Sequence, residues 1–307
     1  MAREMRTKDN RTPEEPFATR DTSMTTNEAT SPDEPKLTTP DGRELFLRCE
    51  GDPSARLAFV VVHGLGEHAG CYDDFTTRMT SLGRGVLIYD QHGHGHSPGR
   101  RGDAPDFATM VNDVAVALEF AAKHFSRAEL VLFGHSMGGN LVLNHLLDRD
   151  HEYARRVIVS NPMILPPDPP TRPQAFAAWL TGKIIPRLRF SASIEPAQLT
   201  QDAEARNLLA DDDLIHELLS VGIGSQLINQ GLWLLDHAER LRVDLLVLTG
   251  SDDELCDAET TDRFVSQAGS RCTRIDFTGL RHSLLLEKKR DQVYWAIEGW
   301  LQNDAGV

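Results

Sequence analysis

Leu130-Val131-Leu132-Phe133 runs straight into Gly134-His135-Ser136-Met137-Gly138, and this junction constrains the chain more than any other stretch. The apolar run reads as a buried strand, and the pattern over residues 139–147 reads as a helix. A Gly-x-Ser-x-Gly turn between a strand and a helix lifts the serine hydroxyl clear of the backbone. Its glycines let the two elements approach closely. Ser136 is therefore the candidate nucleophile, against the plainer reading of a glycine-rich turn.

Such a nucleophile needs a base, and an acid to hold that base in the right tautomer. Leu245-Leu246-Val247-Leu248 is a second buried-strand pattern and leads into Thr249-Gly250-Ser251-Asp252-Asp253-Glu254. Arg274-Ile275-Asp276-Phe277 is a third and leads into Gly279-Leu280-Arg281-His282. Acid and histidine thus stand where strands run out into loops, the edge on which open parallel sheets place their sites. His282 is the candidate base, and Asp252, Asp253 and Asp257 compete as the acid. Upstream, the strand pattern over 58–62 ends in His63-Gly64-Leu65-Gly66-Glu67-His68. A backbone N–H from that loop, with the N–H of Met137, would form an oxyanion hole.

At 307 residues and 40% apolar content the chain suits one α/β domain with an insertion, or two small domains. Strands are expected near 58–62, 86–90, 130–134, 156–160, 245–249 and 273–277, with helices near 107–123, 137–148, 258–268 and 288–301. That alternation means a doubly wound, mostly parallel sheet. Residues 37–48 alternate around Asp41-Gly42 as a hairpin would, and residues 1–35 have the composition of a disordered tail. The domain then covers 36–307, broken over about 161–242 by a stretch with no convincing strand. Phe176, Trp179, Leu180 and Ile184 share one face of a helix there, and Leu227, Gly231, Leu234, Leu235 and Ala238 repeat the period. Placed between a strand and the strand carrying the acid, this insertion is expected to be a helical cap over the site. Its apolar face is the candidate acyl-chain tunnel, against the plainer reading of helices packed on the domain.

Other signals exclude whole classes. No run approaches the roughly 18 apolar residues of a membrane span, and the first residues have no apolar core, so no secretory signal is expected. Four cysteines without C-x-x-C pairing or zinc spacing suit reduced thiols in a cytoplasmic enzyme. A net charge of −14 speaks against nucleic acid and against bulk adhesion to anionic membrane. It leaves open a transient contact of the cap with a membrane or micelle surface. His92, His94 and His96 alternate with glycines that would hold metal ligands loosely, so neither metal nor cofactor is expected. Asp211-Asp212-Asp213 reads as a helix N-terminal cluster or a solvated face.

The blocks His63–His68, Gly134–Gly139 and Gly250–Asp257 together resemble those of the monoacylglycerol lipases. These belong to the lysophospholipase-like serine hydrolases of the α/β-hydrolase superfamily. The resemblance runs from about Lys36 to the last helix. It implies an α/β-hydrolase fold with Ser136 as nucleophile, Asp253 as acid, His282 as base, and the N–H groups of Leu65 and Met137 as the oxyanion hole. It also implies that Gly93-His94-Gly95-His96-Ser97 is a structural turn and that Cys256 lies near the site. The chain departs from the pattern on the alcohol side. Cys71-Tyr72 stands where members commonly have a basic residue before the aromatic, and Leu209 or a neighbour stands near a cap tyrosine.

The resulting expectation is a serine esterase that cleaves monoacylglycerol to fatty acid and glycerol through an acyl-enzyme. Lysophospholipase, short-chain carboxylesterase and a non-catalytic receptor of the same fold are the alternatives. Phe176, Trp179, Leu180 and Ile184 would hold the acyl chain. Glu67 and His135, with Cys71 nearby, would meet a neutral head group rather than a phosphate.

Overall fold

The computed structural model describes residues 35–148 and 153–303. The hairpin comes first, as β1 (Lys36–Thr38) and β2 (Glu44–Glu50). Then follow β3 (Leu57–Val62), α1 (Asp73–Ser81), β4 (Gly85–Tyr89), α2 (Phe107–His124), β5 (Glu129–His135), α3 (Met137–Asp148) and β6 (Ala154–Ser160). An insertion carries α4 (Arg172–Ile184), β7 (Arg189–Ser191), α5 (Pro196–Leu199), α6 (Ala203–Asp211), β8 (Leu218–Ser220) and α7 (Val221–His237). β9 (Asp244–Gly250), α8 (Ala258–Ala268), β10 (Cys272–Phe277) and α9 (Arg290–Asn303) follow.

Eight strands form one sheet in the order β1-β2-β4-β3-β5-β6-β9-β10. The β1–β2 and β2–β4 pairs are antiparallel and the rest are parallel. Parallel neighbours need crossover connections, and helices supply them on both faces. Along β3 the two-residue period divides the core. Val60 and Val62 join the apolar sides of α2, α3 and α7, while Phe59 and Val61 pack with Phe75 of α1 and Val293 and Ile297 of α9. Burial on both faces is why these strands read as unbroken apolar runs. The fold is therefore a doubly wound, mostly parallel sheet with an inserted helical cap.

Two features escape the sequence reading. Helix α1 carries only a weak apolar stripe. The insertion holds a two-stranded antiparallel ribbon, β7 with β8, where no strand is expected. Three-residue strands have too little pattern to announce themselves, and their pairing partner decides them. The tail expected over residues 1–35 lies, except for Pro35, outside the described residues. Among the described residues no helix is long and apolar enough to cross a membrane.

Candidate active site

Ser136 sits at the junction of β5 and α3 with φ of 52°, a left-handed conformation rare outside glycine. Neighbouring backbone holds it there: its N–H donates to the Ser160 carbonyl at 3.1 Å, and its own carbonyl accepts from Met163 at 2.9 Å. A side chain at Gly138 would overlap the carbonyls of Val62 and His63. That glycine therefore lets α3 start directly against the end of β3. Ser136 keeps partial exposure while both its neighbours are buried.

Of the three competing aspartates, Asp253 reaches the histidine. His282 Nδ1 lies 3.0 Å from both of its carboxylate oxygens. Asp252 is exposed and bonded to Ser251, and Asp257 caps the N-terminus of α8. Asp253 Oδ1 also accepts from the N–H groups of Leu255, at 2.8 Å, and Cys256, at 3.3 Å. Burial pushes the Asp253 carboxyl up, but His282 and these hydrogen bonds outweigh it and hold the group below its ordinary value.

Asn161, which sequence reasoning missed, ties three loops together. Its Nδ2 donates to the His282 carbonyl at 2.6 Å, its Oδ1 accepts from Gly250 N–H at 2.9 Å, and its carbonyl accepts from the Cys256 thiol at 3.3 Å. Its only sequence signal is a polar residue directly after a buried strand. Cys256 itself is buried, with Sγ 3.9 Å from His282 Nδ1.

The loop after β3 is braced from inside. Gly64 N–H and the Tyr72 hydroxyl both donate to Glu67 Oε2 at 2.8 Å. Glu67 Oε1 lies 3.7 Å from His135 Nε2, while His135 Nδ1 donates to the Ser160 carbonyl at 3.0 Å. Burial pushes the Glu67 carboxyl up. His135, the Gly64 N–H, His63 and Tyr72 pull harder, so the net direction is down. No described acceptor takes the Leu65 N–H, and Met137, first in α3, has no intrahelical acceptor for its own.

Two cavities meet at Ser136 and His282. One, of about 540 Å³, is mostly apolar and takes Met163, Phe190, Leu219 and Leu227 into its walls. The other, of about 240 Å³, is lined by Glu67, His135, Leu209, Asp212, His216 and Glu217 among others. Cys71 faces neither; it lines a 20 Å³ recess with Tyr72.

The acyl-tunnel assignment needs correction. Phe176, Trp179, Leu180 and Ile184 are exposed and line neither cavity, whereas Ala178 and Thr181 from the same helix line the apolar one. Helix α4 turns its small residues inward. Ala175 and Gly182 are buried, and a side chain at Gly182 would overlap Ser225 of α7. Close approach at Gly182 points the large apolar residues at solvent.

The acidic run is not at a helix N-terminus, though Asp211 and Asp213 are exposed as a solvated face would be. Asp211 ends α6, and Asp212 follows it to accept from His68 Nε2 at 2.8 Å. Nor do the three loop histidines converge on a common point: His94 lies between His63 and His216 with its ring tilted against both, and His96 lies against Phe46. One described group, Asp253, Cys256 and His282, brings possible metal donors within 4.8 Å of one another, and its imidazole nitrogen is the one already bonded to Asp253.

A serine held in such a turn, with an imidazole oriented by a buried carboxylate, is the arrangement of the serine hydrolases with the α/β-hydrolase fold. The family described as "Serine aminopeptidase, S33" matches residues 53–289, and the chain belongs to it, as an α/β hydrolase of the monoacylglycerol lipase-like kind. A Mus musculus relative named "Monoglyceride lipase" is 31% identical over 231 residues, covering 74% of this chain and 75% of its own length. A Schizosaccharomyces pombe relative is 29% identical over 247 residues, 77% of this chain, and the chain spans only 64% of its length. The solved Paleococcus ferrophilus monoacylglycerol lipase superposes with a TM-score of 0.76 at 27% identity, covering 84% of this chain and 98% of that one.

Proposed function

We propose that this carboxylic ester hydrolase cleaves monoacylglycerols to fatty acid and glycerol through an acyl-enzyme on Ser136. The observation that carries the reading is the meeting of two unlike cavities at Ser136 and His282. The apolar chamber suits one acyl chain, each methylene contributing roughly 0.8 kcal/mol when removed from water. The smaller chamber, with Glu67, His135 and Asp212 in its wall, suits a small alcohol. The names of the relatives support the same class.

In this reading Ser136 Oγ attacks the ester carbonyl while His282 Nε2 takes its proton. Asp253, bonded to Nδ1, stabilises the imidazolium. The N–H groups of Leu65 and Met137 receive the oxyanion. The proton passes to the leaving alcohol. Water, activated by the same imidazole, then releases the fatty acid. Residues 161–242 act as the cap, and the exposed stripe of α4 rests on the lipid surface that supplies substrate.

A fluorophosphonate probe should label the wild type and not Ser136→Ala, and a matched ester panel should rank monoacylglycerol above lysophospholipid. Labelling that survives Ser136→Ala would overturn the nucleophile. A preference for lysophospholipid would overturn the substrate.

A further inference from the structure

The alcohol-side cavity is electrically one-sided. Glu67, Asp212 and Glu217 line it, and no Lys or Arg is among its lining residues. Gly64 N–H and Tyr72 OH hold Glu67 in place as a hydrogen-bond acceptor. Asp212 is half-buried and accepts from His68 and from Leu214 N–H. Glu217 is exposed at the rim, and its carboxylate has no hydrogen bond or ion pair among the described residues. Two of the lining histidines add no compensating charge at neutral pH. Burial lowers His135, and burial, followed by Arg101 and with Arg189 adding to it against the pull of the Gly93 carbonyl, lowers His216 to about 4. Arg101 and Arg189 act on His216 through their charge without lining the cavity.

Between the carboxylates the wall carries the aliphatic side chains of Ile194, Leu199, Leu209 and Ile215, and it closes on Ser136 and His282. Carboxylates set among aliphatic side chains, with few hydrogen-bond donors, match a charge that neither gives nor needs hydrogen bonds. A quaternary ammonium is such a charge. Its methyl groups lose water against the aliphatic wall while the carboxylates balance it. A phosphate would meet three like charges and no cation.

Resting on the acyl-enzyme reading above, we infer that this cavity selects cationic leaving alcohols, so that acyl esters of choline-type amino alcohols are substrates preferred over neutral esters of the same shape. The bonds made and broken are those of the proposed hydrolysis: the ester C–O bond breaks, the alcohol leaves as the ammonium alcohol, and water supplies the carboxylic acid oxygen.

The test compares octanoyl esters of choline, of its uncharged isostere with tert-butyl in place of trimethylammonium, of glycerol and of glycerol phosphate. All are used below their aggregation limits, with kcat/KM normalised to the hydroxide-catalysed rate because a cationic alcohol is the better leaving group. The choline ester should exceed its isostere about tenfold at low salt, the effect of a unit charge near carboxylates at a partly wet site. The ratio should shrink several-fold in Glu217→Gln and shrink again at high salt. The glycerol phosphate ester should be the slowest. Equal normalised rates for choline ester and isostere, with the glycerol ester still cleaved, would overturn this inference alone. A choline preference that Glu217→Gln leaves untouched would also overturn it. Cleavage of none of the four esters would remove the esterase reading and this inference with it.

Discussion

Both oxygens of Asp253 stand at the same distance from one imidazole nitrogen, so the carboxylate fixes the ring by position and by charge. Asp253→Asn should lower kcat on a nitrophenyl ester by about 10⁴-fold with the melting temperature nearly unchanged, because the amide favours the wrong tautomer. Asp252→Asn, at an exposed side chain, should stay within about threefold, inside the usual range of surface changes. The reverse ranking would move the acid by one residue. Asn161→Ala should act differently. It strands the Gly250 N–H, worth about 1–3 kcal/mol if left unpaired, and leaves the His282 carbonyl only its longer bond from Leu284 N–H at 3.2 Å, so both the melting temperature and kcat should fall. A loss of activity with full stability would make Asn161 a participant in the reaction rather than the tie between its loops.

At the scale of elements, α4 separates shape from pattern. Its large apolar side chains face solvent and its small ones face α7 and the cavity. Phe176→Glu and Trp179→Glu should therefore leave turnover of a soluble short ester unchanged and slow hydrolysis of monoacylglycerol presented in vesicles. Equal loss on both substrates would return these residues to the cavity wall. The contact of the cap with the core loops has a pH dependence of its own. His216 bonds the Gly93 carbonyl at 3.2 Å through Nε2, and its Nδ1 accepts from Leu218 N–H at 3.2 Å. His94 packs against it with ring centroids 4.7 Å apart, and burial, with Arg101, His63 and Arg189 acting through charge, depresses it from 6.5 to about 4. Because the folded value lies below the unfolded one, this contribution is complete above about pH 6.5 and is lost as the pH falls toward 4. Amide exchange across β8 should quicken over that window, and less so in His216→Asn. A flat profile in the wild type would refute this.

Across the whole molecule, two largely buried carboxylates are expected to contribute to the acid limit. Asp253 and Glu67 are both held below their ordinary values. Their contribution is therefore present above the usual carboxylate range and disappears as acid titrates the folded protein. Thermal melts should show stability dropping through the acid range below about pH 4, with a shallower drop in Glu67→Gln. An equally steep drop in that variant would assign the acid limit to other groups. With a net charge of −14, the folded chain carries excess negative charge at neutral pH. Acid therefore relieves repulsion while it removes these two contributions, and the melts report which effect is larger.

The central strands were legible because a parallel sheet covered on both faces leaves apolar runs such as Phe59-Val60-Val61-Val62; the edge strand β10, read as another buried run, alternates polar residues and buries only Phe277. Ser136, His282 and the loop carrying the acid were legible because strand ends and glycine-bounded turns are local signals, whereas the choice among Asp252, Asp253 and Asp257 stayed open in the residues until the structure set Asp253 against His282. The tertiary structure alone decided which way α4 faces, since an apolar stripe tells which residues share a side but not what that side meets. It alone showed Asn161 joining three loops, His68 meeting Asp212 and β7 pairing with β8, because each of these joins residues far apart in the chain. Local chemistry is written in neighbouring residues, whereas the shape of a cavity is the sum of contacts between distant ones.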